Sequence, residues 1–311
     1  MNLNRVKVAL AGLELASPLV LSSGILGMSA SSLGLAAKHG AGAVTAKSCG
    51  MSERSGHKCP SVLPFEHGIL NAVGLSNPGV DVMSQEISEY RKRFGGKAPV
   101  IASIFGASVE EFGEVAERMA VAEPDMIEVN VSCPNVASEF GQPFGADPAA
   151  CARITSLVKR KAGRIPVSVK LTSACASIGT MAKVCEDNGA DAITAINSIG
   201  PGMLIDLNVR KPVLSNKTGG VSGACILPIA VRCVWEIYRS VNIPIIGGGG
   251  VTQASDALQL IMAGASAVGI GSAVYKPGLS VFDRINRGIM EYIKGNAIQS
   301  LSSLIGAAHV A

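Results

Sequence analysis

The chain has 311 residues, of which 48% are hydrophobic, 16% charged and 4% aromatic, and its net charge at neutral pH is +4. This excludes a disordered chain, a coiled coil and a disulfide-stapled miniprotein, and suits one large α/β domain. Scarce aromatics and scattered basic residues count against nucleic acid or a membrane surface as a partner.

The elements follow in chain order. No apolar run of secretory length follows Met1 to Arg5, so no signal peptide is expected. No stretch reaches the ~18 apolar residues of a membrane span, and a cytoplasmic location is the expectation. Residues 1–17 hold two short segments, Val6–Leu10 and Glu14–Ala16, around Ala11-Gly12. They predict a hairpin that closes the bottom of the domain. Pro18-Leu19-Val20-Leu21-Ser22 then opens a pattern that recurs at Pro99, Pro166 and Pro244. A proline at the first residue of a strand removes no N–H that the strand needs, and the β-branched residues after it favour strand.

A second pattern starts at Gly40-Ala41 and recurs at Gly189-Ala190 and Gly264-Ala265, with a degenerate copy at Glu123-Pro124. Each glycine follows a helix-like stretch and fits the position just past a helix end. The two patterns alternate, which predicts eight short strands with room for a helix after each, at a mean spacing of about 35 residues. Their apolar runs are continuous, as in a parallel sheet buried on both faces. Eight βα units over ~250 residues read as a (β/α)8 TIM barrel, with an open doubly wound sheet as the alternative. The barrel would span residues 18–296, with 297–311 as a docked tail helix and the whole chain as a single domain. Two connections are long, after strand two (Lys47 to Pro99) and after strand six (Asn197 to Pro244). Long loops on the catalytic face of such a barrel serve as lids or substrate loops.

Chemistry in this fold collects where strands end. Those ends read Ser22-Ser23, Lys47-Ser48, Ser103, Asn130, Lys170, Asn197-Ser198, Gly248 to Gly250 and Gly271-Ser272. Two lysines at the ends of apolar strands point to an anionic or electron-rich ligand, against the plainer reading that each emerges into solvent. Glycines after strands seven and eight fit a phosphate loop, although a tight turn with no ligand has the same look. Cys133 lies just past strand four in Asn130-Val131-Ser132-Cys133-Pro134-Asn135, a setting for a base or nucleophile, where the alternative is an inert thiol. Asn71 to Gly79 is ordinary turn chemistry whose amides could also read a flat polar ring. The eight cysteines include no C-x-x-C pair and the four histidines no H-x-x-x-H, so no metal site is expected in this chain.

These residues together resemble the class 1 dihydroorotate dehydrogenases, over nearly the whole chain. The resemblance rests on Ala46-Lys47-Ser48, Asn71-x-x-Gly74-Leu75-x-Asn77, Asn130 to Asn135, Asn197-Ser198, Lys217 to Gly223 and the glycine-rich ends of strands seven and eight. Cysteine at position 133 separates the chain from the serine-based membrane class. The stretches Asn71 to Gly79 and Leu207 to Gly223 are similar to subclass 1B, whose catalytic subunit pairs with an electron-transfer subunit carrying FAD and a [2Fe–2S] cluster and reduces NAD.

The resemblance implies one FMN per chain and a homodimer of catalytic chains within a heterotetramer. Cys133 would take the C5 proton of dihydroorotate while hydride leaves C6 for flavin N5, giving orotate. Lys47 would serve the substrate carboxylate and the flavin edge, and Lys170 the pyrimidine end of the flavin. Ser23, Ser48, Ser103, Asn130 and Ile196 would surround the flavin, and Gly223, Gly249, Gly250, Gly271 and Ser272 would hold its phosphate. Ser103 stands where many relatives carry asparagine. Asn71, Ala72, Val73, Gly74, Leu75, Asn77, Asn130, Asn135, Asn197 and Ser198 would contact substrate. The loop from Cys133 to about Gly145 would be a lid. The readings left beside this one are a fumarate-dependent class 1A homodimer, a dihydropyrimidine dehydrogenase-like flavoenzyme and a non-catalytic barrel that binds a phosphate ligand.

Overall fold

Ala11 and Gly12 both have positive φ, 45° and 84°, as a two-residue hairpin turn requires. The turn folds strand β1 (Val8–Leu10) onto β2 (Leu13–Leu15), with Val8 opposite Leu15. In this computed structural model, residues 3–132 and 144–309 are described. Glu14 and Ala16 share a surface recess with Gly42, Pro99 and Asp125, which lie where barrel strands begin, so the hairpin sits at the barrel bottom.

Strands β3 (Leu19–Leu21) and β4 (Ala43–Thr45) start the barrel. A hairpin, β5 (Val62–Phe65) and β6 (Gly68–Asn71), fills the first long connection. The barrel continues through β7 (Val100–Ile104), β8 (Met126–Asn130), β9 (Val167–Leu171) and β10 (Ala192–Ala195). The second long connection carries β11 (Ile199–Gly202), β12 (Ile205–Asp206), β13 (Lys211–Pro212) and β14 (Gly219–Ser222). Strands β15 (Ile245–Gly248) and β16 (Ala267–Ile270) complete the circle. The closed order is β3-β4-β7-β8-β9-β10-β15-β16, with every neighbour parallel, so the expected eight-stranded barrel is present.

Around it run α1 (Ala30–Lys38), α2 (Val80–Phe94), α3 (Val109–Ala120), α4 (Pro148–Ala162), α5 (Ile178–Asp187), α6 (Leu227–Tyr238), α7 (Ala254–Met262) and α8 (Ser280–Gly295). Every residue of the eight barrel strands is buried. Among the described residues no helix is long and apolar enough to cross a membrane.

The two alternating sequence patterns have one hydrogen-bonding cause. The carbonyls of Pro18, Pro99, Pro166 and Pro244 accept from Val268, Val44, Ile127 and Ile193. The residue after each proline accepts in turn, Leu19 from Gly42, Val100 from Asp125, Val167 from Asp191 and Ile245 from Ser266. Each proline strand is thus stitched at its entry to a glycine-type strand on either side. Gly40, Gly189 and Gly264 take φ of 90°, 97° and 123° just past α1, α5 and α7, where only glycine is free of strain. In the degenerate copy Glu123 takes this role, exposed and with φ 48°. Glu123→Gly should therefore stabilise the fold by about 1 kcal/mol, the usual cost of a side chain in that region. Thermal unfolding checks it, and an unchanged or lower Tm would mean that the turn carries no strain.

The long connections meet. Strands β5 and β6 pair with β14 and β11 in a four-stranded antiparallel sheet of order β11-β14-β6-β5. This sheet brings Asn71 and Ser222 to the mouth of the barrel, at its C-terminal end. The tail forms two short 3-10 turns, Leu301–Leu304 and Ala307–His309, in place of an α-helix. It docks through His309, whose ring stacks on Trp235 at 3.6 Å and whose Nε2 lies 3.0 Å from the Ala263 carbonyl.

Candidate active site

Two cavities open where the barrel strands end. The larger, of about 380 Å³, lies over the ends of β15, β16 and β3. That volume falls within the range of pockets built for small ligands. Its floor is open because Gly248 and Gly269 face each other across β15 and β16, and an added Cβ on Gly269 would meet Ser22 Oγ at 2.8 Å. Its rim is the loop Gly249-Gly250, which runs against the start of α6, so a Cβ on Gly250 would meet the Leu227 nitrogen at 2.6 Å. Gly223 and Gly271 lead into the 3-10 turns Ala224–Ile226 and Ser272–Val274, and both glycines line the cavity. The first N–H groups of a helical turn have no partner within it and suit an anion.

The smaller cavity, of about 100 Å³, is lined by Lys47, Ser48, Gly74, Leu75 and Asn130. It shares Ser23, Gly24, Asn71, Val73, Lys170, Asn197 and Ser198 with the larger one. The two chambers therefore have a common wall, an arrangement that holds two ligands in contact.

A polar network runs beneath that wall. Ser48 Oγ lies 3.0 Å from Ser23 Oγ and 2.8 Å from Ser103 Oγ, and it accepts from Asn130 Nδ2 at 3.3 Å. Ser103 Oγ donates to Glu128 Oε1 at 3.1 Å, and Glu128 pairs with Lys170 Nζ at 3.6 Å. On the other side Ser132 Oγ donates to Asn130 Oδ1 at 2.9 Å, and Asn197 Nδ2 donates to Ser132 Oγ at 3.0 Å. Each hydroxyl has one proton. Glu128 claims that of Ser103, so Ser103 accepts from Ser48 and Ser48 accepts from Ser23. The carboxylate thereby sets the direction of the whole chain.

The structure brings most of the expected site residues together. Ser23, Lys170, Ile196, Gly223, Gly249, Gly250, Gly271 and Ser272 line the larger cavity. Lys47, Ser48, Asn71, Val73, Gly74, Leu75, Asn130, Asn197 and Ser198 line the smaller. Ser103, Ala72 and Asn77 line neither of these two. Ser103 stands behind Ser48 in the network, and Ala72 is fully buried. Asn77, 2% exposed, uses its amide on surrounding backbone, where Nδ2 donates to the Leu75 carbonyl and Oδ1 accepts from the Gly79 nitrogen of its own loop and from the Gly50 nitrogen of the segment before β5. Cys133, Asn135 and nearly all of the expected lid lie outside the described residues.

The dihydroorotate dehydrogenase family model matches residues 5–293. The chain belongs to the dihydroorotate dehydrogenase family. Three relatives are named dihydroorotate dehydrogenase B (NAD(+)), catalytic subunit. The protein of Methanothermobacter thermautotrophicus is 42% identical over 304 residues, covering 98% of each chain. That of Methanosarcina acetivorans is 43% identical over 301 residues, 96% of this chain and 95% of the relative. That of Pyrococcus horikoshii is 40% identical over 305 residues, 97% of each. Membership in the dihydroorotate dehydrogenase family implies a flavin cofactor.

Two features bear on how a dihydroorotate dehydrogenase would use this site. Cys49 adjoins Ser48, yet burial pushes its thiol up to about 12 despite the opposing charge of Lys47. It stays protonated near neutral pH and is no base. Glu128 escaped the sequence reading, because it sits inside an apolar strand rather than at its end. Its signal was parity: it lies two residues before Asn130, on the same strand face.

Proposed function

We propose that this chain is the catalytic subunit of an NAD-linked dihydroorotate dehydrogenase of pyrimidine biosynthesis. The observation that carries the reading is the shared wall, with a glycine-lined chamber on one side and a chamber of asparagines and Lys47 on the other. The glycine-lined chamber fits FMN: the glycine loops and Ser272 would hold its phosphate, and the buried Lys170 would serve its electron-rich pyrimidine end. Bound there, FMN supplies a two-electron acceptor for the hydride that leaves C6.

The chain's own residues do the rest. Lys47 binds the carboxylate of dihydroorotate, and Asn71, Asn130, Asn197 and Ser198 read the amide edges of its ring. Asn77 shapes the loop that carries Gly74 and Leu75. Cys133 receives the C5 proton. Lys170 offsets the negative charge that grows beside it, the kind of preorganised electrostatics that lowers a barrier. The electrons then leave through a partner subunit carrying FAD and a [2Fe–2S] cluster, within a heterotetramer in the cytoplasm.

The test is spectroscopic. The purified chain should be yellow, and anaerobic dihydroorotate should bleach it while dihydrouracil should not. Reduced chain should pass electrons to NAD only when the partner subunit is added, and not to fumarate. A colourless protein that takes up no FMN would end this reading.

A further inference from the structure

Lys170 is 7% exposed, and a buried ammonium persists only beside a counter-charge. The proposed function uses the lysine and gives no task to the carboxylate next to it. Glu128 is 3% exposed and lines the larger cavity together with Lys170. The barrel itself puts them side by side. Asn130 on β8 is the register partner of Lys170 on β9, and Glu128 lies on the same face of β8, two residues earlier. Its Oε1 is 3.6 Å from Lys170 Nζ and is held in place by the Ser103 hydroxyl at 3.1 Å.

We propose that Glu128 is a positioning residue for the reaction: its carboxylate anchors the Lys170 ammonium at the cavity wall and attenuates the positive charge that Lys170 presents to the flavin. The proposal rests on the assignment of the larger cavity to FMN. Its first half is geometric. A lysine side chain has a flexible stem and three donors, and one buried ionic contact fixes where the ammonium stands. Its second half is electrostatic. Reduction adds negative charge to the flavin, and a nearby cation favours the reduced form. A carboxylate a few ångströms from that cation opposes its field, strongly so in a site of low dielectric. The pair therefore lets Lys170 bind the flavin without trapping electrons that must move on.

Glu128→Gln separates charge from shape, because the amide oxygen still accepts from Ser103. In holoprotein, E128Q should favour reduced over oxidised flavin by about tenfold, a rise of about 30 mV for a two-electron couple. In apoprotein, E128Q and K170M should each lower the melting temperature, and the double variant should recover much of the loss, because it removes both charges. Additive losses in apoprotein would overturn the pairing. An unmoved potential in a yellow E128Q protein would overturn the attenuation, and a merely structural glutamate would give that result. A chain that shows the apoprotein coupling but binds no FMN overturns the cavity assignment, and the proposal with it, by a signature of its own.

Discussion

Lys170→Ala should purify with little flavin. The substitution takes an ammonium out of the larger cavity and leaves the Glu128 carboxylate buried beside an empty position. Losing one charge-assisted contact of about 1.5–3 kcal/mol should weaken FMN binding by roughly 10- to 150-fold. Stranding a buried charge costs stability as well, by about 3–5 kcal/mol unless the group takes up a proton. The continuous apolar core of the barrel should keep the variant folded. Lys170→Met controls for lost packing, since it keeps most of the side-chain volume. Flavin content per chain and calorimetric titration of apoprotein with FMN give the answer. Full occupancy at unchanged affinity in both variants would remove Lys170 from the flavin site and leave it a structural partner of Glu128.

The barrel was legible in the sequence because its two punctuation marks each do a single physical job. Proline opens a strand whose first N–H is not needed, and glycine closes a helix at positive φ. The hydrogen bonds at Pro18, Pro99, Pro166 and Pro244 repeat the same entry four times, so the periodicity reflects a repeated local structure. The lysines and glycines at strand ends were legible for a related reason, since they break an apolar pattern where it stops.

What escaped was non-local or interior. Pairing of β6 with β14 joins segments some 149 residues apart, as between Asn71 Nδ2 and the Gly220 carbonyl, and no local pattern encodes such a partner. Glu128 was hidden by its apolar neighbours, although strand parity places it under Asn130. Asn77 shows the opposite limit: its position in a turn was readable, but its amide is bonded to its own loop. The tail was apolar enough to dock, yet Ala297 and Gly306, with φ of 54° and 73°, interrupt any helix through it.

Cys133→Ser should give a folded, yellow protein that dihydroorotate reduces far more slowly. The residue before it is firmly placed: Ser132 is 1% exposed, donates to Asn130 and accepts from Asn197, and both of these asparagines line the smaller cavity. A positioned base typically contributes 10²- to 10⁴-fold, so the loss in the reduction rate should be on the order of 10³-fold. Serine is a far poorer base than a thiol of pKa near 8.5, since it holds its proton well into the alkaline range. The variant should therefore regain part of its rate as pH rises, while the wild-type rate levels off once the thiolate is formed.

Flavin content should not change, because the role proposed for Cys133 is toward substrate and not toward the flavin. Cys49→Ala is the matching control: its thiol is held protonated by burial, so reduction should proceed at the wild-type rate. Anaerobic stopped-flow absorbance across a pH series separates the cases. Wild-type reduction in C133S, or a loss in C49A as large as that in C133S, would transfer the proton to another group.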